Sequence, residues 1–147
     1  VYMVRAGLFD DVNAVLHWHP SSSNGANAES SNSNKSAKFK FSGISAHAAG
    51  SPDKGRSALD GVEAMNMMVN MMREHIPQES RIHYVITKGG LAPNVVPDVA
   101  EVYYYVRHPR RQRVQEIFEW VVKASEGAAI GTDTKVTHEV MHGNYSK

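Results

Sequence analysis

Apolar and polar residues alternate in four stretches of the chain, and two longer stretches repeat their apolar positions every three or four residues. KFKFS, residues 38–42, has the period of two that a half-buried strand requires. Residues 56–75 carry Leu59, Val62, Met65, Val69 and Met72 as one apolar stripe, which predicts a helix. Pro77 ends it, because proline has no N–H to continue the ladder. Arg81–Lys88 alternates again, with Ile82, Tyr84 and Ile86 on one face. Gly89-Gly90 and the run from Pro93 to Pro97 form a long turn. Residues 99–107, rich in Val and Tyr, read as a third strand. Pro109 stands near the start of a second helix, in which Val114, Ile117, Phe118, Val121 and Val122 share a face. That helix ends between Gly127 and Gly131, and residues 134–142 alternate as a fourth strand.

The order strand, helix, strand, strand, helix, strand predicts an α+β fold of the ferredoxin-like βαββαβ type, a four-stranded antiparallel sheet with two helices on one face. Such a sheet leaves an edge that must be covered or used, and pairing with a second copy is one use. Residues 21–36, SSSNGANAESSNSNKS, hold almost nothing that can be buried and read as a linker. They divide an opening piece, 1–20, from the patterned body, 37–147. The start, VYMVRAGLFDD, has neither an initiator Met nor a leader pattern, and it reads as beginning inside a longer protein.

Composition removes some functions. A net charge of +1 leaves no electrostatic footprint for nucleic acid or an anionic membrane. No apolar run approaches the roughly 20 residues of a membrane helix. With no cysteine there is no disulfide and no thiolate metal site within the chain, which suits a cytoplasmic protein.

Candidate chemistry centres on histidines and one arginine. His47 lies in SAHAAGSPDKG, among small residues that let the backbone pass close to another surface. It reads either as an imidazole that meets a developing oxyanion or, more plainly, as a turn histidine with a local hydrogen bond. His17 and His19, in LHWHP, read as an alternating pair on one face of a strand and suit a metal such as zinc. Two ligands alone make no site, and an ordinary strand end explains them as well. Asn94 and Arg107 flank the third strand; the guanidinium fork suits a carboxylate, while a turn residue and a strand-end ion pair are the simpler roles. The methionines of the first helix read as core filling. The arginines between Arg107 and Arg113 read as a solvated turn.

FSGISAHAAGSPDKGRSALDGVEAMNMMVNMMREHIPQ, followed by GGLAPNVVPDVAEVYYYVR, resembles the lid or dimerisation domain of the M20 metallopeptidase and amidohydrolase family, nearest its branch that acts on p-aminobenzoyl-glutamate. The resemblance spans nearly the whole chain. It implies a parent enzyme with two divalent metal ions, zinc or manganese, in a catalytic domain from which the lid projects. GLFDDVNAVLHWHP resembles the end of that domain's first segment, and the spacing from Asp11 aligns His19 with a metal ligand. His47 aligns with the lid histidine that reaches into the partner subunit's active site and polarises the scissile carbonyl. Asn94 and Arg107 align with the residues that hold the substrate carboxylate. The resemblance further implies a small N-acyl amino acid substrate, and a homodimer through the lid or an assembly with a related second subunit. The family's remaining ligands and its general-base glutamate have no counterpart here, so the chain is expected to bind no metal and to be inactive alone. The alternative is a non-catalytic ferredoxin-like module that dimerises or binds a small ligand.

Overall fold

The first strand begins well before its alternation does. In the computed structural model, which describes residues 2–26 and 31–144, β1 runs Ser33–Ser42 and takes in residues 33–36 of the polar run. β1 is a central strand, paired along its length with β3 (Val99–His108) on one side and β4 (Lys135–Asn144) on the other. Backbone pairing on both sides holds residues 34–36, Ser33 and Ser36 are buried, and the Lys35 ammonium lies over the Phe118 ring at 4.3 Å. A bulge between Ser36 and Ala37 shifts the register against β4. Val1, residues 27–30 of the expected linker and residues 145–147 lie outside the described residues.

The remaining strands and the two long helices follow the predicted pattern. A short helix, α1, occupies Tyr2–Arg5, where the sequence pattern indicates nothing. α2 spans Ala58–Met72 and passes into a tight 3-10 turn before Pro77. It starts later than residue 56 because Ser57 caps it, its hydroxyl accepting from the Asp60 N–H at 3.1 Å. β2 is Arg81–Lys88 and α3 is Arg111–Gly131. The sheet order is β2-β3-β1-β4, all neighbours antiparallel. Each helix therefore links two parallel strands with a third strand between them, which is the split βαβ arrangement of a ferredoxin-like fold.

Both helices cover one face. Ala37, Phe39 and Phe41 of β1 and Ala100, Val102, Tyr104 and Val106 of β3 meet Val62, Met65 and Val69 of α2 and Val114, Phe118 and Val121 of α3. Each fully buried Val, Phe or Met side chain among them contributes about 1.5–3 kcal/mol. Of the methionines, Met65 and Met72 are core, whereas Met67, Met68 and Met71 are exposed. The opposite face of the sheet has no covering helix or strand among the described residues. It carries Asn34, Ser36 and Lys38 of β1, Glu101, Tyr103, Tyr105 and Arg107 of β3, and Arg81, His83 and Val85 of β2, as the registers require.

Candidate functional site

The loop after β1 is stitched in place by its own backbone. Gly43 N–H donates to the Asp98 carbonyl, and Ile44 and Arg56 exchange both backbone hydrogen bonds at 2.8 and 2.9 Å. Farther along, Val96 N–H donates to Ala46 and Ala48 N–H donates to Asn94, each at 2.9 Å. Arg56 adds an exposed ion pair to Asp133 at 2.7 Å. Asp133 sits at φ 52°, in the left-handed region that Asp tolerates, between α3 and β4. The two segments that hold His47 and Asn94 are thus bound together at one end of the sheet.

His47 is exposed, and its ring is oriented by its own turn. The imidazole Nδ1 accepts from Gly50 N–H at 2.9 Å and Ala49 N–H at 3.2 Å. In the neutral ring the hydrogen then resides on Nε2, which becomes an outward-facing donor. The local hydrogen bonds are those of a turn histidine, and the ring they hold remains exposed.

Arg107 lies elsewhere. In the β1–β3 register Ser42 pairs with Val99 at the His47 end, and Asn34 pairs with Arg107 at the other. From Val99 to Arg107 the strand covers roughly 25 Å at about 3.3 Å per residue. Within one subunit the structure brings His47 to Asn94 and keeps both far from Arg107. The Arg107 guanidinium lies over the Tyr105 ring, 5.3 Å from its centroid. Its Nε is buried without a hydrogen-bond partner, as is Oδ1 of Asn34 across the strand pair. Beside it, His83 is held below the usual histidine range, first by partial burial and then by the Arg107 and Arg73 charges.

His17 and His19 lie on irregular chain rather than on the expected strand, because nothing among the described residues pairs with that segment; His19 is exposed, and its Nδ1–H donates to the Pro20 carbonyl at 2.9 Å. That bond leaves Nε2 free to ligate. Among the described residues, no group of three or more His, Asp or Glu side chains converges to hold a metal. The residues present do not by themselves fit a two-metal centre.

The profile of the M20 peptidase dimerisation domain matches residues 30–133. This chain belongs to the M20 peptidase dimerisation-domain family. Over 136 residues it is 48% identical to one of the subunits of the p-aminobenzoyl-glutamate hydrolase of Escherichia coli, covering 92% of this chain and 28% of that protein. It is 28% identical to the mouse Xaa-Arg dipeptidase, covering 97% of this chain and 33% of that one. The crystal structure of an aminobenzoyl-glutamate utilization protein from Klebsiella pneumoniae shares the fold, with a TM-score of 0.69 at 24% identity over 79% of this chain and 30% of that one. This M20 dimerisation domain spans about a third or less of the length of the curated relatives it matches.

Sequence reasoning missed one group of this M20 domain. Tyr103, Tyr105 and His83 stand together with Arg107 on the open sheet face, with Tyr103 and Tyr105 ring centroids 5.2 Å apart and those of His83 and Tyr105 5.6 Å apart. The signal lies in VYYYVR: Tyr103 and Tyr105 alternate with buried Tyr104, so they share the face of Arg107.

Proposed function

We propose that this chain is the lid and dimerisation region of a metal-dependent amidohydrolase that cleaves N-acyl amino acids of the p-aminobenzoyl-glutamate class, and that it hydrolyses nothing by itself. Membership of the M20 dimerisation family and the 48% relative support this reading. The observation that carries it is the His47 ring, whose Nδ1 is occupied by two backbone N–H groups, which leaves Nε2–H as the donor on an exposed turn whose backbone is bonded to that of Asn94. A donor so held is suited to the oxyanion that forms as an amide carbonyl is attacked. Removing such a donor typically costs about 10²–10³ in kcat.

Arg107 holds the substrate carboxylate in this reading. Its separation from His47 supports a site built from two copies, with His47 and Asn94 from one subunit and Arg107 from the other. The M20 family generally uses divalent metals, which activate water and polarise the carbonyl. His19 would supply one ligand through Nε2. The other ligands and the general base belong to catalytic-domain segments of the parent. A homodimer, or a pair with a related subunit, and a cytoplasmic location complete the reading; no helix among the described residues is long and apolar enough to cross a membrane.

The test uses the complete enzyme. His47→Ala and Arg107→Ala, each expressed alone, are expected to lose about 10² or more in kcat/KM on p-aminobenzoyl-glutamate while remaining folded. Co-expressed, they should regain roughly a quarter of wild-type activity, because mixed dimers carry one intact site. No recovery on mixing would exclude a shared site, and an unchanged rate in His47→Ala would remove the histidine from the chemistry.

A further inference from the structure

The open sheet face holds a basic and aromatic cluster that no step involving His47 uses. Tyr103 and Tyr105 stand edge to face, and His83 meets Tyr105 the same way from β2. With Tyr84 and Val85 they line a cavity of about 290 Å³. That is at the lower end of small-molecule sites and has room for one ring-bearing group. Polar atoms stand close by: the Tyr103 hydroxyl lies 3.4 Å from both the Tyr105 and the Ser36 hydroxyls. Arg107 borders the cluster, stacked over Tyr105, with no ion pair among the described residues and with its Nε unsatisfied.

We propose that this cluster is the subsite for the aromatic acyl group of an N-aroyl amino acid, with Tyr103, Tyr105 and His83 packing on the aryl ring while Arg107 holds the carboxylate of the same molecule. The proposal rests on the carboxylate reading of Arg107 given above. The spacing fits. Residues two apart on a strand stand roughly 7 Å from each other. In an N-benzoyl amino acid four ordinary bonds place the ring centre roughly 6 Å from the carboxylate carbon. A carboxylate on Arg107 therefore sets the aryl ring beside Tyr105 rather than beyond it. The hydroxyls of Tyr103 and Tyr105, which line the cavity, give acceptors for a ring amino group, as in the p-aminobenzoyl group named for the 48% relative. Aromatic rings on this face thus select the acyl half, and the arginine selects the acid half.

The test is ligand binding to the 147-residue chain, which needs neither metal nor catalysis. The probes are p-aminobenzoyl-glutamate and N-acetyl-glutamate, which differ in the acyl group, followed by NMR shifts of the Tyr and His83 ring signals. The chain is expected to bind the aroyl ligand more tightly. Tyr105→Leu should weaken p-aminobenzoyl-glutamate about three- to ten-fold and N-acetyl-glutamate less than about two-fold. Tyr105→Phe should retain most of the affinity, and Arg107→Gln should weaken both ligands. If Tyr105→Leu fails to fold by circular dichroism, His83→Leu and Tyr103→Leu carry the same comparison. Equal weakening of both ligands by the ring variants, or no preference for the aroyl ligand in the unaltered chain, overturns the subsite. Ring-dependent binding that is indifferent to Arg107→Gln would leave the aryl subsite standing and overturn the carboxylate role.

Discussion

Buried Tyr104 shows how one polar atom can tie two elements together. Its hydroxyl donates to Oδ1 of Asn66 on α2, and both residues are nearly free of solvent. Burial drives the phenol far above its ordinary pKa, so it remains a neutral donor. Removing that donor strands the Asn66 carbonyl in the core. Tyr104→Phe is therefore expected to destabilise by about 1–3 kcal/mol, read from the urea midpoint at constant m. Replacing both partners, as in Tyr104→Phe with Asn66→Leu, should recover part of the loss, because no polar atom is then left unpaired. His47 shows the opposite case, an exposed side chain ordered by backbone donors rather than by packing. Its place in a turn of small residues is legible in the sequence. Which ring nitrogen the turn occupies depends on where the N–H groups of Ala49 and Gly50 point, and residue order alone does not say.

Among the elements, the loop from Gly43 to Arg56 sets the position of the candidate site. Gly43 is required there by close approach: a Cβ would lie 1.9 Å from the Arg56 carbonyl oxygen and 2.9 Å from the Ala58 nitrogen. Both are backbone atoms, so neither can rotate away. Gly43→Ala is expected to break the Ile44–Arg56 pairing and cost about 1–3 kcal/mol or more. A lower thermal midpoint, with displaced His47 ring signals in NMR, would show it; an unchanged spectrum would mean the loop accommodates the methyl. The strands and helices themselves were legible from periodicity, since apolar spacing reports which face is buried. β1 was legible only in part. Residues 34–36 are strand because two neighbours pair with them, and Ser33 because β3 does; that information lies in residues 99–108 and 135–144.

For the whole molecule, the two sheet edges differ. β2 exposes Tyr84, Val85 and Ile86 in succession along its free edge. β4 interleaves Val136, Val140 and Met141 with Lys135, His138 and Glu139, the sort of charged edge that resists pairing. The β2 edge is therefore the expected site of self-association. Sedimentation equilibrium should find a dimer, and Val85→Lys with Ile86→Lys should shift it to monomer without unfolding. A dimer that survives both lysines would move the interface to another surface. By itself the sequence determined the order of the four strands and the two long helices, the stripe each of those helices buries, the class of the fold and the family. All of these follow from local spacing and from motifs contiguous in the chain. Only the tertiary structure decided which candidate residues lie together. Antiparallel pairing puts Asn94 beside His47 at one end of the sheet and carries Arg107 to the other, and the pleat turns Tyr103, Tyr105 and Arg107 onto a single face with His83 of the next strand. Those relations depend on register between segments far apart in the chain, and hydrogen bonding across the sheet is what sets it.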